Sequence, residues 1–315
     1  MSTRSRARVL GPTRKAGSAQ AVRTFKPGKM IPNGLPWILP ALVVVVGLLY
    51  YSVGYTFYTS SLDWNGVSPD PPSVGLGNYT KMLSDRTFWR TLQHTVLFLV
   101  VTFTVQTALG FTLAAILHTK VKLATLHKVL VFIPTVIAPA TMAPVFRTFF
   151  DTGGLFNQIL EAIGLGGLAQ PWLAQHSTAL YAIMAITVWQ WTGLTFILYY
   201  AAMSQIEPEL LEAARIDGVG NLRALWYVVW PGCRGTTIAL AILSVIGALK
   251  TFDWPWLVTI GGPGDATEFL GTYIYRKGIR EAHIGYSAAL SIALLVLAVG
   301  GAILMSRANR RGRTN

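Results

Sequence analysis

The sequence predicts an all-α membrane protein of six transmembrane helices, with a short charged helix-turn-helix between the fourth and the fifth. Three observations carry this expectation. The 315 residues are 52% hydrophobic and only 12% charged, whereas soluble domains carry about 25% charged residues. Apolar runs recur along the chain, each of the roughly 20 residues that a membrane span needs. Lysines and arginines are spread unevenly between the connecting segments, as membrane topology requires.

The elements follow in order. Residues 1–36 form a basic arm with eight bases (Arg4, Arg6, Arg8, Arg14, Lys15, Arg23, Lys26 and Lys29) and no acid. The first span, near 37–59, begins WILPALVVVVGLLYYSVGYTFY. A basic start before an apolar run also fits a signal peptide. This run begins late, is long and has no clean small-residue cleavage site after it, so a retained span is expected. Further spans are expected at 92–117, 127–149, 178–203, 235–259 and 285–306, which makes 37–306 one transmembrane domain. The third span contains VFIPTVIAPATMAPVF, whose prolines Pro134, Pro139 and Pro144 predict a bend. A packing kink and a functional break both remain open there. The tail, 307–315, adds Arg307, Arg310, Arg311 and Arg313.

With the N-terminus inside, 18 of the 26 bases fall on the cytoplasmic side and 8 on the other. Both termini are therefore expected in the cytoplasm. The net charge of +13 sits mainly in clusters beside spans, which points to topology and anionic lipid and not to nucleic acid. Cys233 is the single cysteine, so no intrachain disulfide can form. The five histidines are scattered, with no metal-ligand spacing, and no phosphate-binding glycine loop occurs. No metal or other cofactor is expected on this chain.

The cytoplasmic loop, 204–232, departs from its greasy surroundings. Pro208 suits the first turn of a helix, and Glu207 and Glu209 suit its positive end. ELLEAARI consists of strong helix formers, and Glu212 and Arg215 lie three apart, where a pair can form. Gly218 is expected to stop the helix in a left-handed turn. Asn221 is expected to cap a second helix, LRALWYVVW, that Pro231 ends. The small Ala213 and Ala214, with Leu210, Leu211 and Ile216, suit a helix that docks in a partner's groove. An ordinary interfacial helix fits the same residues.

EAARIDGVGNLRALWYVVWP, 212–231, resembles the EAA loop of ATP-binding-cassette importer permeases. Glu212, Ala213, Ala214, Asp217, Gly218 and Pro231 fall on that pattern, with Trp230 where leucine is commoner. The segments 75–98, 149–165 and 249–279 resemble the flanks of sugar-importer permeases, including their F-D, G-G-P and Y-I-Y stretches. Only the basic arm lies outside the resemblance. The chain looks like the first of two permease subunits of a carbohydrate importer of the maltose or glycerol-phosphate type. It lacks the extra spans and large external domain of the enterobacterial maltose subunit.

The resemblance implies a type I importer permease fold in the bacterial plasma membrane, with no catalytic site of its own. It implies a second homologous permease, two cytoplasmic ATPase subunits that use ATP and magnesium, an extracytoplasmic solute-binding protein and a sugar substrate. Glu212 would anchor the loop in a cleft of the ATPase, and Gly218 would form its turn.

Sugars offer hydroxyl groups and flat apolar faces, which hydrogen-bonding side chains and aromatic rings meet. Gln190, Trp191 and Tyr199 in the fourth span and Lys250, Phe252 and Asp253 in the fifth are the candidates for lining the path. Packing accounts equally for the aromatic ones. Lys250 stands about 22 Å into the expected fifth span at 1.5 Å per residue, inside a core ~30 Å thick. An ionisable group at that depth is a functional candidate, although snorkelling or a pair with Asp253 explains it too. Three alternative readings are a permease for glycerol-3-phosphate or a related phosphodiester, an ATP-independent secondary transporter, and a membrane-embedded enzyme. A phosphate site wants paired cations, where only Lys250 is available. A secondary carrier commonly shows repeats, and none is evident. An enzyme needs convergent acids, histidines or a metal set, and Asp253 is the one acid in the six expected spans.

Overall fold

A computed structural model describes residues 35–119 and 122–311. The basic arm up to residue 34 and tail residues 312–315 lie outside the described residues. The chain falls into two units, 1–51 and 52–315. The described part of the first unit is the start of α1 (Leu35–Ser60), a helix apolar and long enough to cross a membrane.

The second unit is helical. After α1 come α2 (Gly77–Ser84), α3 (Arg86–His118), α4 (Ala124–Val136), α5 (Pro139–Phe149), α6 (Leu155–Ala162), α7 (Ala179–Met203) and α8 (Pro208–Ile216). Then follow α9 (Asn221–Ala224), a π-helical turn at Leu225–Val229, α10 (Trp230–Gly232) and α11 (Arg234–Leu249). A second π turn (Pro255–Thr259), α12 (Leu270–Tyr275), a third π turn (Arg276–Arg280) and α13 (Ile284–Arg311) complete the described residues.

Among the described residues four helices are long and apolar enough to span a bilayer, and two bent pairs bring the number to as many as six. The predicted bend in the third span is a break. α4 and α5 meet at 96°, because Ile137 and Ala138 are extended and Pro139 opens the new helix.

The fifth span differs from the expectation of one helix over 235–259. Residues Asn221–Gly232 and Arg234–Leu249 form a pair bent by 65° at Cys233. The chain then leaves helical geometry, with Lys250 as the cap of α11. Lys250 is thus not buried along a continuous span. It and Asp253 are both exposed, and the ion pairs among the described residues do not include them.

α7 is the centre of the packing. α3 lies along it, and Gly110 lets the two backbones meet: a Cβ there would stand 2.9 Å from the Phe196 nitrogen. α4 crosses α7 at Gly193, where a Cβ would sit 2.5 Å from the Val131 carbonyl oxygen. Two apolar clusters result. One joins Phe98, Ile183, Met184, Trp254 and Phe269. The other joins Phe111, Phe196, Tyr199, Cys233 and Leu240 at the end from which the charged loop emerges.

At the opposite end Asp85 caps α3 by accepting the Thr87 N–H at 2.8 Å. It also accepts the hydroxyls of Tyr286, at 2.6 Å, and of Tyr273. One carboxylate thereby ties the start of α3 to α12 and α13. Burial pushes its pKa up, but the hydrogen bonds from Tyr273, Tyr286 and the backbone prevail and hold it below the ordinary value. Nearby, Arg276 reaches Asp265 and Glu268, each at 3.3 Å. Burial raises the pKa of Glu268 against the pull of that guanidinium.

Candidate coupling loop and translocation path

The loop builds as its residues dictate. Glu207 is the N-cap of α8, Pro208 opens it and Glu209 lies in its first turn. The helix closes in a Schellman motif: the Gly218 N–H donates to the Arg215 carbonyl at 3.1 Å and the Val219 N–H to the Ala214 carbonyl at 2.9 Å. Gly218 has φ +72°, which glycine adopts without strain. Ala214 is buried, while Glu212, Ala213, Arg215, Ile216 and Asp217 are exposed.

Three details differ from the sequence reading. Glu212 and Arg215 do not pair among the described residues; both stand in solvent, where such a pair gains little. Gly220, not Asn221, precedes the second helix as its cap. Pro231 does not end that helix. The π turn ahead of it widens the backbone, so the ring and its missing N–H fit, and the helix runs on to Gly232.

The exposed loop is fixed to the core at its far end. Trp230 meets Phe111 edge-on at 4.8 Å between centroids and stacks near Tyr199 at 6.3 Å. Cys233 is 1% exposed beside them. Sequence reasoning missed this anchor, since no local pattern joins residues so far apart in the chain.

The path candidates separate into two groups. Gln190 and Tyr199 are buried with their polar atoms engaged: Gln190 bonds to Ile137 and Trp254, and the Tyr199 hydroxyl lies 2.9 Å from the Thr237 hydroxyl. Trp191 is exposed on the outside of α7. Lys250, Phe252 and Asp253 lie together at the break after α11, where Phe252 stacks on Trp256 at 5.8 Å and Tyr275 meets both rings. A groove of about 630 Å³ opens between α3, α4 and α7. Val105, Leu130, Pro134 and Met184 give it apolar walls, which suit a lipid chain or a helix better than a sugar.

A helical chain with several apolar spans, two of them broken, and a charged helix-turn-helix anchored to its core defines a multi-pass membrane permease. Residues 106–314 match the binding-protein-dependent transport system inner membrane component family, and the chain belongs to it. It is a transporter subunit and not an enzyme. It is 30% identical to the probable ABC transporter permease protein YurN of Bacillus subtilis (strain 168), over 88% of this chain and 96% of that protein. It is 32% identical to the trehalose/maltose transport system permease protein MalF of Thermococcus litoralis, over 88% and 93%. It is 29% identical to the lactose transport system permease protein LacF of Rhizobium radiobacter, over 84% and 90%. A solved chain of a bacterial ABC transporter that imports the acidic polysaccharide alginate shares the fold, with a TM-score of 0.76, 20% identity and coverage of 88% of this chain and 94% of that one.

Proposed function

We propose that the chain forms half of the translocation path of an ATP-driven importer for a sugar or oligosaccharide. It pairs with a second permease, two cytoplasmic ATPase subunits and an extracytoplasmic solute-binding protein. Both termini are cytoplasmic. Residues 204–232 dock on an ATPase subunit, with Glu212 anchoring the contact, Gly218 shaping the turn, and Ala213, Ala214, Asp217 and Pro231 completing the motif. The observation that carries this reading is the exposed α8 and its Schellman turn, joined through Trp230 to the packed core. A ligand of that loop can move α3 and α7 through the contacts of Trp230 with Phe111 and Tyr199.

The sugar class rests on relatives whose names specify lactose and trehalose or maltose. Lys250, Phe252 and Asp253 are the residues proposed to line the path, since irregular backbone at membrane depth is tolerated where it borders a cavity or is covered by protein. The test is uptake into vesicles by the complete transporter. Neutral sugars, glycerol-3-phosphate and glycerophosphodiesters are offered with and without internal ATP. ATP-dependent uptake of a neutral sugar is expected. ATP-independent uptake would identify a secondary carrier, and preference for the phosphate esters would overturn the sugar class.

A further inference from the structure

We propose that Gln190 is a positioning residue that pins the break between α4 and α5 and the segment after α11 to α7 and to each other. The proposal rests on the reading of the chain as an importer permease. A break in a membrane helix frees backbone groups that lipid cannot satisfy. At the first break the carbonyl of Ile137, the cap of α4, is one such group. It accepts the Gln190 Nε2 at 3.1 Å. Beyond the end of α11 Trp254 is 5% exposed, and its Nε1 donates to Gln190 Oε1 at 2.7 Å. Tryptophan can only donate, so the carboxamide orientation is fixed by chemistry. One side chain, itself 3% exposed, therefore uses its donor on the break after α4 and its acceptor on the segment after α11.

The surroundings make this a junction between moving parts and not an isolated bond. The Thr135 hydroxyl donates to the Gln190 carbonyl at 2.8 Å, which holds α4 against α7 before the break. After the break, α5 and the segment following α11 are braced directly. Phe146 meets Trp254 at 5.6 Å and Trp189 at 5.1 Å. Arg147 donates to the Val258 carbonyl at 3.1 Å and also to the Leu257 carbonyl. α5 and residues 253–259 thus form one piece beyond the breaks, and the Gln190 carboxamide sits where that piece meets α7. Motion of α7 driven from the loop reaches α5 and the segment after α11 through it.

The test uses the complete transporter reconstituted in lipid, with Gln190→Leu, Trp254→Phe and the double variant. The readout is solute imported per ATP hydrolysed. Removing one partner leaves the other buried and unsatisfied, so each single change is expected to lower that ratio by about tenfold. Because both remove the same bond, the double variant is expected to be no worse than the poorer single one. Uptake and hydrolysis falling in equal proportion, additive losses in the double variant, or failure of all three to assemble would each assign Gln190 to packing alone and overturn the proposal. A wild-type complex without ATP-dependent uptake would instead refute the importer reading itself.

Discussion

At the scale of single residues, the loop turns on Gly218 and Glu212. Gly218 was legible because a helix-forming run followed by glycine has one common solution, the left-handed stop, and its φ of +72° is that solution. The Glu212–Arg215 pair was not legible. Spacing permits such a contact, but solvent decides whether it forms, and here both side chains are exposed. Glu212 is thereby left free for a partner. Gly218→Val forces a β-branched residue into a conformation it rarely adopts. It is expected to abolish solute-stimulated ATP hydrolysis while the permease pair still assembles. Glu212→Ala removes one charge-assisted contact and is expected to weaken ATPase retention about tenfold or more. Co-purification and stimulated hydrolysis check both; full activity in both variants would contradict the assigned roles.

At the scale of elements, hydropathy marked the apolar segments and missed where the fifth of them stops being helical. Prolines announced the bend between α4 and α5, since each restricts the backbone locally. The apolar run through LVTI hid the end of α11, because hydropathy does not register where helical geometry stops. Pro255, in the first turn of the segment that follows, was the readable sign of a new start. The clasp of Asp85, Tyr273 and Tyr286 was illegible for another reason: it joins α3 to α12 and α13 by tertiary contact alone. Asp85 is expected to stabilise this end. Asp85→Asn loses the charge-assisted bonds and is expected to destabilise by about 1 kcal/mol, at the low end because the site is partly wet. Its folded pKa lies below the ordinary carboxylate value. The contribution is therefore fully present above the unfolded pKa of about 3.9 and is lost as pH falls through the folded value. Melting temperatures of wild type and variant should differ at pH 7 and converge only as pH falls below about 4 and on through the folded value. A gap that persists in acid would show that the charge is not what holds the clasp.

At the scale of the whole molecule, the uneven distribution of lysine and arginine predicts which side of the membrane the loop occupies. Docking on the ATPase requires the cytoplasmic side. Cys233 is the chain's single cysteine and is 1% exposed, whereas Ile216, in the last turn of α8, is 86% exposed. Ile216→Cys therefore places one reactive thiol on the loop. The measurement is its labelling by a membrane-impermeant maleimide in right-side-out and inverted vesicles, with the ATPase subunits present and after they are stripped. A coupling loop is expected to stay unlabelled from outside, to label in stripped inverted vesicles, and to be protected when the ATPase is restored. Labelling from outside, or labelling from inside that the ATPase leaves unchanged, would contradict the assignment of residues 204–232 to coupling.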